Sequence, residues 1–79
     1  MVTNVAVRMK TPFEELDEIL DLVKQAEAEV GPKGGRVLLR YSGTEPKARL
    51  LIEGPEMEAM ERWTAAICGS IRRQVGQAG

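Results

Sequence analysis

Histidine is absent from the 79-residue sequence, and cysteine occurs once, at Cys68. The first absence removes the commonest general base, and with it His-dependent triads and imidazole metal sites. The second leaves the chain without a disulfide framework or a thiolate metal cluster, and a reduced, cytoplasmic setting is the expectation that follows. Aromatic residues are limited to Phe13, Tyr41 and Trp63. A sheet that reads RNA needs exposed aromatic platforms, and the strand-like segments offer only Tyr41. The net charge of −1 gives no overall basic character either, so a nucleic-acid module is disfavoured. No apolar run approaches the ~20 residues of a membrane helix, and residues 1–10 lack the apolar core of a signal peptide. No membrane partner is expected.

What is present fits one small α+β domain over residues 1–79. Such a domain buries only about 60% of its unfolded surface, so its stability is expected to be marginal. Val5, Val7 and Met9 alternate with Ala6, Arg8 and Lys10, the period of a strand with one buried face. Thr11, Pro12 and Glu14 predict a helix start, with Thr11 as the cap and Glu14 closing a capping box. Phe13, Leu16, Ile19, Leu20, Val23, Ala26 and Val30 then form an apolar stripe at helical spacing, so a helix is predicted near 12–30, stopped by Gly31 and Pro32.

Residues 36–41 and 48–53 read as Val/Leu-rich strands. The connection between them is too short for a crossover helix, so they should pair as an antiparallel hairpin. A second helix is predicted near 56–75. Met60, Thr64, Ile67, Ile71 and Val75 form its inward stripe, Met57 and Trp63 lie beside that stripe, and Gly69 weakens it by ~1 kcal/mol relative to alanine. Residues 76–79 read as a frayed tail. The order is β-α-β-β-α, with both helices expected on one face of a three-stranded sheet. Cys68 is expected to be buried or half-buried, and Trp63 to face the core or a neighbouring domain.

Charge is unevenly spread. Residues 14–29 hold seven acids and one base, whereas residues 33–49 hold five bases and one acid. The acids lie opposite the apolar stripe and read as a solvated face. The basic stretch contains Arg40-Tyr41-Ser42-Gly43-Thr44-Glu45-Pro46-Lys47-Ala48-Arg49. A phosphate site needs convergent N–H donors, hydroxyls and guanidinium groups. Here Ser42 and Thr44 bring hydroxyls, Gly43 permits close backbone approach and positive φ, and Arg40 and Arg49 flank the loop. If the hairpin is symmetric, those two arginines stand opposite each other, which is unfavourable unless an anion lies between them. The same residues are also ordinary turn formers. Composition alone therefore leaves open a ligand-free interaction domain in which the loop is only a turn.

The pattern Arg40-x-Ser42-Gly43-Thr44-Glu45-Pro46-x-x-Arg49 resembles the C-terminal phosphate-binding loop of the α-D-phosphohexomutases, which include phosphoglucosamine mutase, phosphomannomutase and phosphoglucomutase. Leu51-Ile52-Glu53-Gly54 is most similar to the bacterial phosphoglucosamine mutase branch, and the flanking helices extend the resemblance over nearly the whole chain. Tyr41 departs from the proline or small apolar residue common at its position. The resemblance implies the last of four domains, with a TATA-binding-protein-like fold. It also implies a parent enzyme that interconverts sugar 6- and 1-phosphates, using a phosphoserine and Mg²⁺ supplied by other domains. In that picture Arg40, Ser42, Gly43, Thr44 and Arg49 hold the phosphate that is not transferred, and Glu45 is a structural loop residue accepting backbone N–H bonds. No catalytic or metal residue is expected within this chain. Its implied partners are a sugar phosphate and the other domains.

Overall fold

Val/Leu-rich segments joined by a short, turn-forming connection fold back on each other, and this hairpin organises the sheet. In the computed structural model, which describes residues 1–77, β2 (Arg36–Tyr41) and β3 (Lys47–Glu53) pair antiparallel. β3 also pairs antiparallel with β1 (Val2–Ala6), so the strand order is β1-β3-β2 and β3 is central. α1 (Asp17–Val30) carries the chain from one edge strand to the other, and α2 (Met57–Val75) closes the domain. The fold is α+β, as the sequence predicts.

The two-residue period decides which face is buried. Val5 of β1, Ala48, Leu50 and Ile52 of β3, and Val37 of β2 point to the helices and are buried. Ile19, Ala26 and Val30 of α1 meet them with Ile67, Cys68, Ile71 and Val75 of α2, and Phe13, Leu16 and Trp63 pack at the margin. The opposite face of the sheet is uncovered. Val2, Leu38 and Leu51 form one row across it, and Asn4, Arg40 and Arg49 form the next. Leu38 is accordingly 50% exposed and Val2 59% exposed. No helix among the described residues is long and apolar enough to cross a membrane.

Several local expectations need correction. The first strand covers residues 2–6, not 5–10. Val7 forms only a bridge to Gly76, and Met9 is 48% exposed. Pairing partners run out at Ala6↔Lys47, so the alternation beyond that point has no neighbouring strand to satisfy. The capping box is absent. Residues 13–15 form a 3₁₀ turn, α1 begins at Asp17, and neither start has a side-chain cap hydrogen bond. The Thr11 carbonyl instead accepts the Tyr41 hydroxyl at 2.5 Å. Phe13 and Leu16 therefore reach the core from a turn rather than from the helix.

At the other end Gly31 stays right-handed. A 3₁₀ turn follows over Gly31–Lys33, and Gly34, at φ 83°, makes the left-handed stop. Met57 is 57% exposed, and Ser70, outside the predicted stripe, is fully buried. Ser70 lies on the buried side because α2 packs against both α1 and the sheet and so presents a wider face. The tail is not frayed at Gly76 and Gln77. The Gln77 backbone N–H donates to the Ala6 carbonyl at 3.2 Å, and its side-chain amide donates to the Val7 carbonyl at 3.1 Å. Ala78 and Gly79 lie outside the described residues.

Candidate functional site

The hairpin register brings Arg40 and Arg49 together as direct cross-strand partners. Residues so placed have Cβ atoms about 4.5–5.5 Å apart, and like charges there are unfavourable. Nothing nearby neutralises them: among the described residues neither arginine makes an ion pair. The same hairpin pairs Arg36 with Glu53 at its other end in the usual way. Arg49 has only a weak contact, its Nε donating to Asn4 Oδ1 at 3.4 Å. Arg40, Tyr41, Ser42, Gly43 and Arg49 line a cleft of about 230 Å³, large enough for a phosphate group. A second, more apolar hollow of about 330 Å³ adjoins it on the open face, floored by Val2, Leu38 and Leu51.

The loop is shaped by Ser42. Its Oγ accepts the backbone N–H of Thr44 at 3.3 Å and of Glu45 at 3.2 Å, the arrangement of a Ser-anchored turn. Its backbone N–H donates to the Lys47 carbonyl at 2.8 Å, and the Lys47 N–H donates to the Glu45 carbonyl at 2.8 Å. A hydroxyl has two acceptor sites and one proton. Both acceptor sites are occupied, so the Ser42 proton is left to donate outward. Gly43 makes no hydrogen bond among the described residues through its N–H. Its φ is not positive, since among the described residues Gly34 alone has positive φ, and a Cβ built on Gly43 would meet nothing within 4 Å. The loop itself does not need this glycine, so the expectation of positive φ is corrected.

Four of the five expected ligands, Arg40, Ser42, Gly43 and Arg49, thus line one cleft. Thr44 does not line it, and its N–H is engaged by Ser42 Oγ. The Glu45 carboxylate faces the Lys47 ammonium at 3.5 Å rather than backbone N–H groups.

The sequence reading missed the support behind the loop. Tyr41 stacks on Phe13 with ring centroids 4.2 Å apart, and burial pushes its phenol pKa up. Val7 N–H donates to the Pro46 carbonyl at 2.9 Å, and Lys10 Nζ to the Ser42 carbonyl at 2.5 Å. These partners lie about thirty or more residues away in sequence, where no local pattern links them. Away from the cleft, burial raises the Cys68 thiol, which marks a packing residue rather than a nucleophile. Among the described residues no three of His, Cys, Asp and Glu gather as a metal-holding group.

The hairpin, its paired arginines and the Ser-anchored loop define a domain class that comparison identifies directly. The family model described as the phosphoglucomutase/phosphomannomutase C-terminal domain matches residues 3–70, and the chain belongs to that family. Among curated relatives it is similar to the phosphoglucosamine mutase of Solibacter usitatus, 41% identical over 96% of this chain and 17% of the relative. It is also similar to that of Nitratidesulfovibrio vulgaris, 42% identical over 91% of this chain and 16% of the relative, and to that of Koribacter versatilis at 37% identity. The chain thus spans about a sixth of the length of the relatives it matches.

Proposed function

We propose that this domain grips the non-transferred phosphate of a hexose phosphate, within an enzyme that converts glucosamine 6-phosphate to glucosamine 1-phosphate. The observation that carries this reading is the cross-strand pair Arg40–Arg49, which lacks any acidic partner among the described residues and flanks a phosphate-sized cleft. A dianion between the guanidinium groups turns their repulsion into two charge-assisted interactions. The Ser42 hydroxyl proton and the Gly43 N–H supply neutral donors on the loop side, and Thr44 contributes by holding the turn. The name shared by the relatives supports the glucosamine substrate. The phosphoserine and the Mg²⁺, which would assist charge transfer at the reacting phosphoryl group, would be held by segments outside this chain. No catalytic step is assigned to its residues.

The test is Arg40→Ala and Arg49→Ala in the enzyme that carries the domain. Hydrogen bonds to charged groups contribute about 1.5–3 kcal/mol each, so each substitution should weaken substrate affinity roughly ten- to hundredfold. The melting temperature should hold or rise, because one of two opposed cations is gone. Unchanged affinity would remove the phosphate role. A large fall in melting temperature with normal affinity would make the arginines braces of the hairpin.

A further inference from the structure

We propose that Lys10, outside the loop and not among the cleft-lining residues, is a positioning residue that locks the Ser42–Gly43 peptide unit so that the Gly43 N–H stays available to an anion. The inference rests on the phosphate reading of the cleft. Lys10 Nζ donates to the Ser42 carbonyl oxygen at 2.5 Å. That carbonyl and the Gly43 N–H belong to one planar peptide unit. No peptide bond among the described residues is cis, so the two groups point in opposite directions. Holding the carbonyl on Lys10 therefore fixes where the N–H points, and Gly43 lines the cleft.

Two features make such a lock necessary. Gly43 has no side chain and open space around it, and glycine gives the loop little intrinsic resistance to a peptide flip. The Ser42 Oγ bonds to Thr44 and Glu45 fix the far side of the turn, but they leave the Ser42 carbonyl and the Gly43 N–H unconstrained. A flipped unit would turn a carbonyl dipole toward the anion and lose a donor. The ammonium also polarises the unit, which strengthens the Gly43 N–H as a donor. The backbone on either side of the lock is itself held. Val7 N–H bonds the Pro46 carbonyl, and the Tyr41 hydroxyl bonds the Thr11 carbonyl at 2.5 Å. Lys10 thus works from a strut anchored before and after it.

The experiment follows the Gly43 amide by NMR in the full chain, first without ligand and then with inorganic phosphate, in Lys10→Met, Lys10→Arg and Arg49→Ala variants. Lys10→Met should move the Gly43 amide resonance before any phosphate is added. It should also weaken phosphate binding about three- to tenfold at both low and high salt, and Lys10→Arg should restore most of both effects. An unmoved Gly43 resonance in Lys10→Met overturns the lock, even if phosphate binds too weakly to titrate. An affinity loss that vanishes in high salt assigns Lys10 a remote charge effect and also overturns it. Arg49→Ala separates the two readings. If that variant binds phosphate as the parent chain does, the phosphate site itself fails. If it loses binding while Lys10→Met is silent, only the lock fails.

Discussion

Gly43 shows how a single position separates the proposed binding role from a folding role. A glycine is usually required by positive φ or by a backbone neighbour that a Cβ would strike, and neither holds here. Gly43→Ala should therefore leave the melting temperature unchanged or slightly raised, because the unfolded chain loses entropy. Under the proposed phosphate role, affinity should nevertheless fall, because the methyl group would intrude where the anion is proposed to approach. Calorimetric unfolding and a phosphate titration on the same variant check both halves. Tyr41 carries the opposite role. Burial raises its phenol pKa above the ordinary value of 10.0. The folded state therefore favours the neutral form: the contribution is fully present below the unfolded pKa and is lost as pH rises through the folded one. Stability should fall in alkaline solution above about pH 10. In Tyr41→Phe that part of the alkaline loss should disappear, at a cost of about 1 kcal/mol at neutral pH from the missing bond to Thr11. Denaturant titrations at neutral and alkaline pH measure both.

Among the elements, the ends of α1 and α2 carry most of the corrections, because helix ends depend on what packs beside them. Glu18 pairs with Arg73, and Glu29 with Arg62 at 2.7 Å, across the two helices. The acidic face of α1 is therefore not purely solvated. The Ser70 hydroxyl and the Arg73 guanidinium hold the Glu18 carboxyl below its ordinary pKa. The charged partners are largely solvent-accessible, so the pairs align the helices more than they stabilise them. Glycines in and beside the elements differ sharply. A Cβ on Gly69 in α2 would meet only Arg73 Nη1, at an ordinary 3.6 Å, whereas one on Gly35 would lie 2.2 Å from the Glu53 carbonyl oxygen and 2.8 Å from that of Val30. Gly69→Ala should stabilise the domain by about 0.5–1 kcal/mol through helix propensity. Gly35→Ala should destabilise it by about 3 kcal/mol or more, because backbone on both sides has to move. Thermal unfolding of the two variants should shift in opposite directions.

For the whole molecule, one core joins all five elements, and its size limits the margin of stability. Ile71 is fully buried where α2 meets the sheet and α1. Truncation of such a side chain costs about 2–5 kcal/mol, whereas a domain of this length holds only several kcal/mol in total. Ile71→Ala should leave much of the population unfolded at 37 °C, which near-ultraviolet circular dichroism and amide exchange would show. The uncovered face of the sheet places the row of Val2, Leu38 and Leu51 beside the row of Arg40 and Arg49. The cleft lined by the two arginines and the exposed apolar surface therefore share one side of the domain, while both helices occupy the other.

The sequence determined the element order, the hairpin and the apolar stripes, because each depends on residue period or on a connection too short to do otherwise. The facing of Arg40 and Arg49 followed only if the hairpin was symmetric, and the register supplies it. It also carried most of the cleft lining, since Arg40, Ser42, Gly43 and Arg49 lie within one stretch and one register. The tertiary structure alone decided where the first strand stops, that α1 begins after a 3₁₀ turn, and that Gly76 and Gln77 are tied to β1. It alone assigned Lys10, Thr11 and Phe13 to the back of the loop. These outcomes depend on hydrogen bonds and packing between residues about thirty to seventy positions apart. Local propensity has no term for such partners, and where a cap or strand end competes with a distant acceptor, the packed acceptor wins.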